Sequence, residues 1–159
     1  MIELLALHYV TSPDKRFWSH AALVFSIIYV VFVTANYVGQ LATVIPMTLK
    51  GKSEEIGILI QSPHSLFWDF DAIGYIFMGL ATLVAIPVFE KYGFQKWVRN
   101  FLLLNALVTP MIAFVYFYPD FSNNLLLLGL PWALTAPVSM LLIAITFRNG
   151  YTRVNSDNE

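Results

Sequence analysis

The sequence predicts an all-α protein, a four-helix bundle set in a lipid bilayer with both termini on the cytoplasmic side. Three observations lead there. Charged residues make up 12% of the chain and hydrophobic residues 58%, against roughly 25% charged in soluble domains. Too few polar groups remain to cover a water-facing surface, and the mean hydropathy is +0.67. Four stretches reach the length of about 20 apolar residues that a helix needs to cross the hydrocarbon core. None of them alternates in polarity as the strands of a membrane β-barrel do, whereas helices satisfy their backbone hydrogen bonds internally, as lipid demands.

Taken in order, the apolar run Ile2–Val10 is too short to cross and reads as an interfacial segment. The first charge is Glu3 and the basic pair Lys15-Arg16 follows the run, so the N-terminus does not read as a cleavable signal peptide. The predicted spans are 17–45, 66–89, 97–118 and 123–147, in one membrane domain covering 1–159. Ser62-Pro63 reads as N-cap and first residue of the second helix. Lys91-Tyr92-Gly93-Phe94 makes the turn into the third, Tyr118-Pro119-Asp120 ends it, and Ser122-Asn123 caps the fourth. Pro110, Pro131 and Pro137 fall inside spans and read as kinks whose freed carbonyls the neighbouring helices satisfy.

Four spans put both termini on one side. Lys15, Arg16, Lys91, Lys96, Arg99, Arg148 and Arg153 lie on that side, and only Lys50 and Lys52 on the other. Seven basic residues against two place both termini in the cytoplasm, and the plasma (inner) membrane is the expected location. Trp18 and Trp97 then sit at the inner interface, and Trp68 and Tyr118 at the outer one. The outer side carries a long loop, 46–65, in which Glu54 and Glu55 precede an apolar stretch, 56–60, suited to lie along the membrane surface.

Polar groups inside a membrane are costly and face the bundle, so they are the functional lead. Ser26, Tyr29, Asn36, Gln40 and Thr43 form one stripe at helical period on the first span. On the second, Asp71, Tyr75 and Thr82 share a face beside Gly74 and Gly79. At about 1.5 Å rise per residue, Gln40 matches Asp71 in depth and Asn36 matches Tyr75. Trp132 and Thr135 reach similar depths on the fourth span, and Tyr116 can roof the region. Two readings stay open. In one, these groups are hydrogen-bond glue between helices, each bond contributing about 0.6 kcal/mol. In the other, Asn36, Gln40, Asp71, Tyr75 and Trp132 line a pocket for a small apolar or amphipathic ligand or a lipid headgroup. Asn105, deeper in the third span, is expected to bond to Ser139 or Thr146, and Glu90 to form a solvated pair with Lys91 or Lys96.

Several chemistries are excluded. The absence of cysteine removes disulfides, thiol catalysis and Cys-ligated metals. His64, Asp69 and Asp71 are spaced by five and two residues, unlike helical metal ligands, and His8 and His20 lie at the other side; no metal site and no cofactor is expected. A net charge of −1 offers no surface for nucleic acid. Phosphate-loop, zinc-protease and nucleophile-elbow motifs are missing, Gly74 and Gly79 do not form GxxxG, and no arginine row suggests voltage sensing.

Asn36-Tyr37-Val38-Gly39-Gln40 in the first span resembles a pattern of small bacterial membrane proteins with four spans. So does Ser62-Pro63-His64-Ser65-Leu66-Phe67-Trp68 leading into Asp71-Ala72-Ile73-Gly74-Tyr75-Ile76-Phe77-Met78-Gly79-Leu80-Ala81. Ala85-Ile86-Pro87-Val88-Phe89 and the basic, Trp-containing start of the third span are similar too. The resemblance implies the four-span architecture and a bacterial origin, and it brings no activity. The expectation is therefore a non-enzymatic membrane protein that binds a small amphipathic ligand, a lipid or a membrane partner (a second copy included) in the outer half of the bundle. The alternative is an intramembrane lipid-modifying enzyme, an isomerase or hydrolase, using Asp71 oriented by Gln40 and Tyr75.

Overall fold

The computed structural model describes the backbone of residues 1–156 and the side chains of residues 1–149, so the side chain of Arg153 lies outside the described residues. The helices are α1 (Ile2–Val10), α2 (Arg16–Gly39), α3 (Ile45–Leu49), α4 (Leu66–Ala85), α5 (Gln95–Phe117) and α6 (Leu130–Ser156), and no strand occurs among the described residues. Four helical stretches are long and apolar enough to cross a membrane: Pro13–Leu49, Leu66–Val88, Gln95–Phe117 and Asn123–Asn149. At about 1.5 Å per residue, the shortest of these, 23 residues, extends for about 35 Å, enough for the ~30 Å hydrocarbon core. The chain is a multi-pass helical bundle in which each long helix packs on the next, α2 on α4, α4 on α5 and α5 on α6.

The distribution of side chains fits lipid as the solvent. Leu134 is 64% exposed and Leu107 61%, whereas Asn36 and Asn105 are each 1% exposed. Small and polar residues fill the helix contacts: Ser19, Ala22, Ala72, Ala81, Thr82, Ala85 and Ser139 are all buried. This is the pattern of membrane helices, where close backbone approach and interhelical hydrogen bonds replace the hydrophobic drive. A methyl group at Gly79 would overlap the Thr109 side chain, so only glycine lets α4 approach α5 there. Thr82, Asn105 and Thr135 tie α4, α5 and α6 together: Asn105 Nδ2 donates to Thr82 Oγ1 at 3.3 Å, and Thr135 Oγ1 donates to Asn105 Oδ1 at 2.9 Å. The partner of Asn105 on the fourth span is thus Thr135, since Ser139 and Thr146 bond back to their own helix at Thr135 O and Leu142 O.

Other local expectations are corrected. The first span runs on past residue 45 because a π-turn, Gln40–Val44, carries α2 into α3. There the Ile45 N–H bonds to Gln40 O, and Pro46 falls in the first turn of α3, where a missing N–H is tolerated. The second long helix starts later than Ser62-Pro63. His64 takes a left-handed turn at φ 65°, and Ser65 is the N-cap, accepting from the Trp68 N–H at 3.3 Å. Pro131 is no kink: it sits in the first turn of α6, after the 3-10 segment Asn123–Gly129. Pro110 and Pro137 do lie inside helices.

The end carrying the termini is closed by α1. Leu4 and Leu7 are buried among Ala22, Ala81, Ala85, Phe89, Val98, Leu102 and Ile143, while Ile2, Tyr9 and Val10 on the same helix stay exposed. Thus α1 bridges α2 and α6. Glu3 is half-buried beside this core, and desolvation pushes its carboxyl up to about 7. Lys15 forms an ion pair with Glu90, joining the turn before α2 to the α4–α5 turn, in place of the solvated Glu90 pair with Lys91 or Lys96.

Candidate functional site

The opposite end, beneath the long loop, gathers the polar stripe. The 3-10 segment Ser53–Leu59 folds back over the helix ends with Ile56 buried and Ile58 exposed, so the apolar stretch 56–60 is partly anchored in the protein. Gln40 holds it: Gln40 Nε2 donates to Leu59 O at 2.8 Å, and the Gln61 N–H donates to Gln40 Oε1 at 3.4 Å. Gln61 then reaches α4, its Nε2 donating to Asp71 Oδ2 at 3.2 Å. Gln40 and Asp71 are therefore joined through a loop residue. Sequence reading missed Gln61, because depth matching compares helices and says nothing of where a loop returns.

Asp71 Oδ2 also accepts from the Tyr116 hydroxyl at 2.6 Å. The hydrogen bonds to the Asp71 carboxylate thus come from Gln61 and Tyr116, neither of them the Gln40 and Tyr75 that the acid–base alternative assigns to it. Trp68 locks Tyr116 in turn, its Nε1 donating to Tyr116 O at 3.0 Å while the two rings lie 4.5 Å apart. Phe121 packs edge-on against Trp68 at 5.3 Å.

One turn below Asp71 on α4, Tyr75 lies 5.9 Å from the Tyr116 ring and meets Trp132 edge-on at 5.0 Å. These three aromatics line a cavity of about 130 Å³, completed by Ile112, Leu126 and Gly129 among others. Leu126 is half-exposed, so the cavity lies just beneath the surface of the bundle. Trp132 Nε1 is buried with no acceptor, and Asn36 Oδ1 is buried with no donor. The remaining stripe residues divide: Ser26 is buried and bonds to Leu23 O, Tyr29 packs under Gly74, and Thr43 is exposed. No group of histidines and carboxylates suited to a metal occurs among the described residues.

A larger cavity, about 1140 Å³, opens at the terminal end between α1, the α4–α5 turn and Phe147 of α6. Several polar groups on its wall are engaged by protein: Lys15 by Glu90 and Val88 O, Thr11 by Leu7 O, and Gln95 by the Glu90 N–H. It depends on contacts across more than seventy positions, which no local pattern announces. No protein-family model, curated protein or solved structure matches the chain.

Proposed function

We propose that this is a non-enzymatic protein of a bacterial inner membrane that binds a small amphipathic molecule in the half of the bundle beneath the long loop. Both termini are cytoplasmic in this reading, supported by the seven-to-two distribution of basic residues. The long loop and the Asp71 cluster then face outward.

The observation that carries the binding reading is Trp132 Nε1, buried without an acceptor beside a cavity that Trp132 itself lines; Asn36 Oδ1, also buried without a donor, stands outside that lining. Leaving such a group unsatisfied costs about 1–3 kcal/mol. An interhelical hydrogen bond does not account for Trp132 Nε1, in contrast to Asn105, whose amide is paired at both ends. A bound molecule that supplies an acceptor or donor offsets the cost, and the cavity at Trp132 provides room for it.

Native mass spectrometry of the protein extracted from its own membrane, compared with Asn36→Leu and Trp132→Phe, tests this reading. A co-purifying amphiphile should be present in the unsubstituted protein, depleted in Trp132→Phe and retained in Asn36→Leu, and the ligand-free stability of Trp132→Phe should hold or rise. A wild-type protein free of bound molecules, with both variants destabilised, returns the cluster to a packing role.

A further inference from the structure

We infer that the molecule bound at the Tyr75–Tyr116–Trp132 cavity carries an organic ammonium group of the choline type. The inference rests on the ligand-binding reading and names its chemistry. Three features converge on a cation. First, three aromatic rings border one small space, and ring faces attract cations, most strongly when water is excluded. Second, Asp71 stands one hydrogen bond behind the wall, through Tyr116. Its partners are the neutral donors Gln61 and Tyr116, and the ion pairs among the described residues are Lys15–Glu90 and Lys52–Glu55. The carboxylate thus has no countercharge among these partners, and a cation bound nearby would supply one. Third, about 130 Å³ is close to the ~150 Å³ of an apolar cavity that takes up benzene. That volume suits a trimethylammonium head and is smaller than the roughly 300–1,000 Å³ of drug-sized sites.

Trp132 Nε1 adds a requirement. It needs an acceptor, which the oxygen two carbons from a choline-type nitrogen supplies. The cation can arrive as a free solute or as the headgroup of a lipid, whose chains would lie along the exposed leucines Leu126, Leu130 and Leu134. The recognition chemistry is the same in both cases.

The test uses the full chain in phosphatidylglycerol nanodiscs, which contain no ammonium lipid. Choline, dodecylphosphocholine and the isostere of each in which carbon replaces the ammonium nitrogen (3,3-dimethylbutan-1-ol and its dodecyl phosphate diester) are titrated calorimetrically, each probe being compared with its own isostere. At least one ammonium probe should bind and its isostere should bind at least about tenfold more weakly. Binding of choline itself identifies a water-soluble cation; binding of dodecylphosphocholine alone identifies a headgroup source. Tyr75→Leu, Trp132→Leu and Asp71→Asn should each weaken binding by about tenfold. Tyr75→Phe, which keeps the ring face and the packing, should retain it even if Tyr75→Leu fails to fold.

Equal binding of the matching isostere, or loss of binding in Tyr75→Phe matching that in Tyr75→Leu, overturns the ammonium assignment. If neither ammonium probe binds while an amphiphile still co-purifies in a Trp132-dependent way, the assignment falls and the ligand-binding reading stands. If nothing co-purifies either, both fall.

Discussion

The Tyr116 hydroxyl donates to Asp71 Oδ2 at 2.6 Å, linking α5 to α4 across 45 positions of sequence. The bond fixes a carboxylate of the loop-end cluster that reaches across helices, and it holds a ring that lines the small cavity. Tyr116→Phe removes it while keeping the ring. The variant should lose about 1–2 kcal/mol of stability in a denaturant titration in micelles. Combined with Asp71→Asn, the loss should be less than additive, since both substitutions act on one interaction. Full additivity would show that the two groups are not coupled.

Asn105 spends both ends of its amide on neighbouring helices. Asn105→Leu should destabilise the bundle by about 1–3 kcal/mol, because Thr82 and Thr135 each lose a partner. Thr135→Val should cost less on its own and add little to Asn105→Leu. Unfolding midpoints of the four proteins in one detergent check this.

Gly79 allows α4 to lie against Thr109 of α5. Gly79→Ala should destabilise by about 1–3 kcal/mol through overpacking. Thr109→Ala should recover only part of that loss, because the Thr109 Cβ itself lies 2.6 Å from the position of the added methyl. Thr109→Gly should recover more. Equal recovery by the two would argue that the hydroxyl and methyl branch alone cause the conflict.

Glu3 gives α1 a pH dependence. Its folded-state carboxyl sits at about 7 against an ordinary 4.5, through desolvation. Between those values the docked state holds a proton that the undocked state has released, so docking weakens as pH rises from about 4.5 to 7 and levels off above. Hydrogen exchange of the Ile2–Val10 amides should accelerate over that window beyond the intrinsic base catalysis. Glu3→Gln should abolish the excess.

The architecture was legible in the sequence because lipid imposes a length and a polarity that composition cannot hide. Phe17 to Ile45, the second span and the cysteine-free, charge-poor interior all follow from that constraint. The link between Gln40 and Asp71 was less legible: Gly74 lies against Phe32 and Val33 and Gly39 against Phe67, which sets Asp71 deeper than Gln40, and Gln61 bridges the two from a loop whose path depends on the π-turn after Gly39 and on the left-handed His64. Likewise α1 carries apolar residues all round, and nothing local says that Leu4 and Leu7 dock on Ala22 and Ile143. Proline alone does not separate a kink from a helix start, which is why Pro131 was misassigned.

Single cysteines offer the sharpest check of the four crossings and their orientation, because the natural chain contains none. They would be placed at Ser12, Tyr92 and Asn149, at the terminal end, and at Lys50, His64 and Asp120, at the loop end. A membrane-impermeant maleimide applied to intact cells should label positions 50, 64 and 120, and should reach 12, 92 and 149 only after the inner membrane is opened. Labelling of 92 in intact cells alongside 64, or of 12 without 149, would contradict an even number of crossings with both ends inside.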